Sequence, residues 1–589
     1  MFNTQITKYL KGLPIFIMGI CLLLVTAHNV NAATIWCNPT NTGTENGSTK
    51  ETGYNTLWEA RAVMSSGDTI IIADGDWSSG YPGMTISSSY LPPAGTSYAS
   101  MSTIKAETDW GVRIPTLNDN GTGVEYVKLQ GIIFIGANNS AYKWSHCKFI
   151  RCGFFAPAVT GNASTFNISY GAYNLMEECI SWGGGRYKFL DYHGDHNIYR
   201  RCVARHDWYI SPDWTGQQSN FRGYGSTNSV WQNCISIDSD REEYQFASNE
   251  NGDFWVGDQS GSGGNIIDGC VAMKGLTQAF YLGGTEAGDT TVELKNSVAL
   301  GPSIDGINGL TGAITIGLVI ANVHNVAAYH FNTGFQHFLR HNKTGGSIVF
   351  SDSIARDIGP LVGGSITAFH NYYYNQTTGD YGINSVNADP LLNGLLYPVR
   401  VESGSILSTA GSTGGTVGPT ILYKIGNAGM SMDESGWNTV TENPLWPFPN
   451  EATIRSLMRT TVDGVEGIYG YTVNGQTLSN YIWGYFGNTV PPFNVRATSP
   501  NAGSLIIQWD PPADIARPTI TGYKIYDVKN GKRVEIASVT GNNTFQATIN
   551  GLTIDQHYEL AMTAIDSTKG ESGISYVRNV SWPVIGDPH

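Results

Sequence analysis

Short segments in which apolar and polar residues alternate recur along most of the chain, as in Glu125–Ile135, Asn197–Val203, Ser229–Ile235, Thr291–Val298 and Thr315–Val323. A period of two sends successive side chains to opposite faces of a strand, and no 3.6-residue helical period runs through these stretches. The strands follow a longer rhythm. Cys179-Ile180-Ser181, Cys202-Val203-Ala204, Cys234-Ile235-Ser236 and Cys270-Val271-Ala272 share one pattern, which continues as Ser297-Val298-Ala299, Asn325-Val326-Ala327 and Ser353-Ile354-Ala355. The intervals are 23, 32, 36, 27, 28 and 28 residues, and Cys147-Lys148-Phe149 stands 32 residues before Cys179 as an upstream member. A repeat of this length, made of strands, predicts a solenoid in which each unit is one coil and equivalent strands stack about 4.8 Å apart. The repeated Cys, Ser or Asn forms a ladder of small, half-buried side chains rather than a metal site, because no C-x2-C pair occurs and free cysteine favours the interior.

These features resemble the pectate-lyase-like superfamily of right-handed parallel β-helices. The opening segments Ile35-Trp36-Cys37-Asn38-Pro39, Asn46-Gly47-Ser48, Tyr54 to Ala60 and Gly67 to Ile72 look like the start of such folds, where a short helix closes the open end. Asp389-Pro390-Leu391-Leu392 and Gly404-Ser405-Ile406 are similar to a last coil, so the resemblance spans roughly residues 34–425. It implies a fold more than a chemistry, since one solenoid hosts lyases, hydrolases, epimerases, tailspikes and adhesins.

Beyond the coils, Trp437, Trp446 to Pro449, Asn450 to Met458 and Gln476 to Phe486 read as loops and two short helices that pack on the solenoid and cap its other end. An alternative use of Trp437, Trp446 or Trp483 is an aromatic platform for sugars. Pro491-Pro492 then marks a boundary. Leu505 to Pro512, Gly522 to Tyr526 and Tyr558 to Ala564 resemble the fibronectin type III domain, which implies a buried core Trp509 and a Tyr558 hydroxyl bonded to backbone near Leu552. The expected class is therefore all-β: signal peptide 1–32, right-handed parallel β-helix with N-terminal cap 33–430, capping and linker segment 431–490, and a fibronectin type III β-sandwich 491–589.

The leader follows from Lys8 and Lys11, the apolar run Pro14–Val25 and the small-residue site Val30-Asn31-Ala32; the run is too short to span a bilayer. Its removal takes Cys21 and two lysines, leaving seven cysteines and 34 − 2 = 32 basic against 48 acidic residues, a net charge of −16. That balance is no footprint for nucleic acid or an anionic membrane. The expected setting is secreted or cell-surface, and the expected partner an extracellular polysaccharide or cell-surface glycan. Composition agrees with stacked coils: 71 glycines and only 14% charged residues.

Against that low charge, residues 186–258 hold 7 basic and 11 acidic residues in 73 positions, with His193, His196 and His206. Counting four residues past each ladder position places His206, Asp238 and Lys274 in one column, with Arg205 beside it. This quartet is the expected catalytic set on an exposed strand or turn, with Lys188, Arg222, Tyr224 and Asp240 expected to bind substrate. For β-elimination from a uronic acid, Arg or Lys neutralises the carboxylate, with Ca²⁺ as an aid in some lyases, and Lys, His or Tyr removes the C5 proton. For hydrolysis, Asp238, Asp240, Glu242 and Glu243 would supply the carboxylates. The Asp-Pro-His-Asp tetrad of alginate epimerases and the RTX calcium repeat are missing, so no family site transfers. Two functions remain: a polysaccharide lyase or hydrolase, and a non-catalytic surface, adhesin or matrix scaffold.

Overall fold

The computed structural model describes the chain apart from residues 1–31, 158–161, 207–217, 238–251, 260, 274–277, 284–290, 302–311, 318, 330–336, 342–346, 357–364, 376–380, 459–460, 463–464, 467–475, 513–518, 530–531, 555, 576–577 and 581–589. Among the described residues three long parallel sheets carry the fold, with 13, 13 and 10 strands. Each coil visits them in turn: Val127–Gln130 lies in the first wall, Ile132–Ile135 in the second and Asn139–Tyr142 in the third. The next coil repeats the order one strand further on, so every strand pairs in parallel with its counterparts before and after it. The protein is a parallel β-helix.

Alternation within each strand sends one column inward. On the third wall the inward column runs Phe166, Phe189, Phe221, Phe254 and Phe280, with the Phe189 and Phe221 centroids 5.4 Å apart and those of Phe221 and Phe254 4.7 Å apart. On the first wall it runs Leu129, Phe149, Met176, Tyr199, Trp231, Ile267 and Leu294. Each fully buried apolar side chain contributes roughly 1.5–3 kcal/mol, and stacking adds to that for the aromatic pairs.

The ladder differs in two members from the sequence expectation. Register places Cys152, not Cys147, beneath Cys179, because Gly153 pairs with Ile180. Val326, not Asn325, continues the column from Ser297, because Ala327 pairs with Val298. The reason is the corner. Residues just before the ladder position adopt left-handed backbone: Arg151, Glu178, Arg201 and Asn233 have φ of 50°, 56°, 51° and 51°, and Asn325 has 53°. Asn325 therefore occupies the corner itself. The alternating segments read as single strands, such as Asn197–Val203, are bent pairs that cross from the first wall to the second at such a residue. All seven described cysteines are free and buried.

α1 (Leu57–Ala62) starts at Thr56, whose side chain accepts from Glu59 N while the Glu59 side chain accepts from the Thr56 backbone, a reciprocal cap. Its Leu57 and Ala60 join the solenoid core.

Downstream, α2 (Glu451–Met458) and α3 (Leu478–Trp483) lie along the side of the solenoid rather than over its end. Trp446, Phe448, Leu457, Ile482 and Trp483 form one apolar cluster with the outward residues Ile180, Val203, Ile235, Val271 and Val298 of the second wall. Trp446 and Trp483 are 4% and 3% exposed, which removes both from the expected sugar platform. The stretch between the coils and α2 also reaches the first wall, where Arg200 donates to the carbonyls of Asn427 and Trp437 and Arg201 to that of Ile425.

The C-terminal part is an antiparallel two-sheet sandwich. Phe493–Asn501, Ser504–Asp510 and Gln546–Asn550 form one sheet, and Ile520–Lys529, Lys532–Thr540 and Tyr558–Asp566 lead the other. Trp509 is buried against Tyr523, and Thr553 N donates to the Tyr558 hydroxyl at 2.9 Å, as expected for the corner tyrosine. Among the described residues no helix is long and apolar enough to cross a membrane.

Candidate functional site

The outward face of the third wall opens into a groove of about 550 Å³. Three strands dominate it, Tyr187–Tyr192, Ser219–Tyr224 and Gly252–Asp258, with Phe166–Ser169 at one side. Parallel register fixes two outward columns. One reads Asn167, Leu190, Arg222 and Trp255; the other reads Ser169, Tyr192, Tyr224 and Asp258. Side chains 23 to 34 residues apart in sequence thus become neighbours, and Asn138, Asn162, Ser164, Arg186, Tyr187 and Gln259 complete the lining.

Behind the lining at one end is a stacked assembly. The Arg222 guanidinium lies 3.3 Å from the centroid of the Trp255 indole, 5.3 Å from that of Tyr224 and 5.6 Å from that of Tyr187. Asp258 ion-pairs with Arg222, and both are buried. Trp255 is fixed in turn by its indole N–H, which donates to Gly283 O at 2.8 Å. The planar guanidinium serves three aromatic faces and one carboxylate, which an ammonium could not do.

In front of that assembly stand the accessible groups. Tyr192 and Tyr224 stack with centroids 5.4 Å apart, and Tyr170 meets Tyr192 edge-on at 5.5 Å. Gln259 Nε2 donates to the Tyr224 hydroxyl oxygen at 2.7 Å, which holds that hydroxyl in place in the groove. Arg186 lies 4.6 Å from the Tyr187 ring centroid and donates to Asn162 Oδ1 at 2.8 Å. Partial burial lowers its pKa from the ordinary value, opposed by neighbouring Tyr187. The groove thus offers a cation, phenol hydroxyls, amides and serines, a set suited to a hydroxyl-rich ligand with an acidic group.

Of the residues expected from sequence, Tyr224 lines this groove, and Arg222 is a fully buried structural cation packed behind the lining residues Trp255, Tyr224 and Tyr187. Of the expected catalytic set only His206 and Arg205 lie among the described residues, and neither is exposed. His206 is 3% exposed, and burial holds its pKa well below the usual imidazole value, helped by the charge of Lys188. Lys188 is fully buried and donates to Gly184 O and Gly185 O at 2.8 and 2.7 Å, so it ties a turn instead of reaching the groove. Arg205 is 1% exposed and donates to Met458 O, covered by α2. Asp238, Asp240 and Lys274 lie outside the described residues, as do Glu242 and Glu243.

Arg186, Tyr187 and Tyr192 were not singled out by the charge count. A signal was present: Ser169-Tyr170-Gly171, Tyr192-His193-Gly194 and Tyr224-Gly225 recur at the same place in successive coils. That repeat marks where the third wall turns away, and its first residue belongs to one groove column.

A Ca²⁺ site requires several convergent oxygen ligands. Among the described residues no cluster of three or more His, Cys, Asp or Glu occurs.

Comparison with known proteins gives two kinds of likeness. The family model of the fibronectin type III domain matches residues 490–578. Among solved structures, the fn3 domain of human collagen alpha-1(XX) chain is 21% identical, covering 17% of this chain and 92% of that one, with a TM-score of 0.14. A myokine structure is 22% identical over 16% of this chain and 97% of that one, also at 0.14. An alginate lyase from Paenibacillus sp. str. FPU-7 is 13% identical, covering 59% of this chain and 99% of that one, with a TM-score of 0.33. No curated protein matches the chain in sequence. The chain thus combines a parallel β-helix with a C-terminal fibronectin type III domain.

Proposed function

We propose that the protein is a secreted carbohydrate-active enzyme that cleaves an acidic extracellular polysaccharide by β-elimination in the groove of the third wall. The observation that carries this reading is the placement of Arg186, Tyr192 and Tyr224 in one groove, with Gln259 donating to the Tyr224 hydroxyl. Arg186 pairs with the carboxylate of a uronic acid and so makes its C5 proton more acidic. Tyr224, held by the Gln259 amide and acting as its phenolate, takes that proton. The electron pair of the broken C5–H bond forms the C4–C5 double bond, the C4–O bond breaks, and Tyr192 protonates the departing oxygen. Among the described lining residues Asp258 is the single carboxylate, and it is committed to Arg222. The two-carboxylate arrangement of a hydrolase draws less support from the same lining.

The test is short-wavelength ultraviolet absorbance of the unsaturated product after incubation with pectate, alginate and glycosaminoglycans, with and without Ca²⁺. Absorbance growth with one substrate, lost in Tyr224→Phe, is the expected result. No unsaturated product from any substrate overturns the lyase reading, and reducing-sugar release on neutral polysaccharides would then favour hydrolysis.

A second reading, a non-catalytic glycan-binding surface protein, is favoured by the stacked Tyr192 and Tyr224 with Tyr170 edge-on beside them, which can hold sugar rings without chemistry. Binding of intact acidic polysaccharide without product would select it.

A further inference from the structure

A second cavity of about 550 Å³ lies where α3 and the turn after it meet the sandwich. On one side stand Gln476, Asn480, Tyr481 and Tyr485; on the other stand Thr568 and Lys569 of the sandwich. Tyr481 and Tyr485 are four residues apart on a continuing helical turn, since Tyr481 N donates to Thr477 O and Tyr485 N to Ile482 O. Both are half-buried. They therefore project to one side and present aromatic surface to the cavity.

The polar detail is more specific. Asn480 is 7% exposed and lines the cavity. Its amide N–H donates to Thr477 Oγ1 at 2.9 Å, which fixes the side-chain orientation. Its Oδ1 is buried and has no hydrogen-bond partner among the described residues. A buried acceptor without a donor carries an unfavourable desolvation cost that a ligand hydroxyl would relieve. Asp566 in the same lining is already satisfied, because it accepts from Thr519 Oγ1, Thr568 N, Thr568 Oγ1 and Lys569 N. That leaves amides, a hydroxyl and one lysine around aromatic surface, without a carboxylate free to recognise a cation.

The junction is held in place. The Tyr397 hydroxyl donates to Thr489 O at 2.8 Å and accepts from Gly573 N at 2.8 Å, while Arg400 Nη1 donates to Ile574 O at 2.8 Å. A side chain at Gly573 would meet Arg400 and Tyr397 within 2.8 and 2.9 Å, so the two parts approach as closely as a glycine allows. Both walls of the cavity are thereby positioned before any ligand arrives.

We propose that this cavity is a second carbohydrate subsite, for a neutral sugar whose ring stacks on Tyr485 beside Tyr481 and whose hydroxyl donates to Asn480 Oδ1. The sandwich then supplies half of a binding site as well as spacing. The inference is independent of the lyase reading, because a neutral sugar has no carboxylate to undergo elimination.

Isothermal titration calorimetry of the full chain against cello-, laminari-, xylo- and galacto-oligosaccharides tests it. At least one should bind, and Tyr485→Ala and Asn480→Ala should each weaken binding about tenfold, the scale of one lost stacking or hydrogen-bond contact. Tyr224→Phe in the groove should leave that affinity unchanged. If Asn480→Ala fails to fold by circular dichroism, Tyr485→Ala, at a half-buried position, decides alone. No binding by any of the four overturns the proposal, and so does binding that survives Tyr485→Ala.

Discussion

The Arg222 guanidinium lies 3.3 Å from the centroid of the Trp255 indole and ion-pairs with Asp258, two residues that the parallel register brings to it from the next coil. One buried cation thus joins the two columns of the groove. Removing it leaves Asp258 buried without its partner and Trp255 without its stacking face. Arg222→Met is expected to lose about 3 kcal/mol in urea unfolding, within the range for breaking a buried pair. Arg222→Lys should recover only part of this, because an ammonium cannot stack as a plane. Full stability in both variants would show that the stack is not structural.

The interior of the same coils carries a pH dependence. Asp191 faces inward, and burial raises its pKa to about 7, with the nearby Asp195 adding to the effect and hydrogen bonds from Ser229 and Asn197 opposing it. The folded state therefore holds this proton more tightly than the unfolded chain, whose carboxyl has the ordinary value of 3.8. The contribution is fully present below about pH 4 and is lost as pH rises through about 7. Its upper bound is about 4 kcal/mol, from a shift of roughly three units. Asp268, raised to about 6 chiefly by burial, acts in the same direction. Urea midpoints at pH about 5 and about 8 should differ less in Asp191→Asn than in the native protein; an unchanged difference would remove Asp191 from the account.

The cysteine column should be chemically silent. Burial pushes the Cys179 and Cys234 thiols well above the ordinary value, and all seven described cysteines are buried. A thiol reagent should label none of them in the folded protein and all after denaturation. Serine already fills the same ladder at Ser297, which accepts from Cys270 N at 3.1 Å and donates to Lys295 O at 2.7 Å. Cys234→Ser should accordingly cost only about 1 kcal/mol and keep the melting transition cooperative. Rapid native labelling would contradict this picture.

In the sandwich, Tyr558→Phe removes the hydroxyl that accepts from Thr553 N. The expected loss is about 1 kcal/mol in chemical denaturation, the net value of one hydrogen bond with an orphaned donor near the surface. A loss confined to the sandwich should leave groove activity intact when both are measured on the same sample.

The repeat and the sandwich were legible in sequence because each is written in local periods. Alternation gives strands, the Cys/Ser recurrence gives coils, and Trp509 and Tyr558 stand at their expected places in the C-terminal module. The ladder could be misread by one residue at Asn325 because side-chain type alone does not reveal a left-handed corner. Asn, Arg and Glu all occupy such corners here, so composition did not mark them.

Which charges meet solvent was decided only by the tertiary structure. Arg205 looks like surface equipment in its own segment, yet it is covered by Met458, 253 residues further along. Arg200 is enclosed in the same way by Trp437, 237 residues away. Lys188 is held by the turn it closes, while Tyr187 beside it lines the groove. A strand's own sequence sets which residues share a face. It does not set whether that face meets core, solvent or a distant part of the chain, because that depends on packing across the whole solenoid. The sequence alone determined a stacked β scaffold joined to a fibronectin-like sandwich. The fold chose which of its many polar residues converge on a groove.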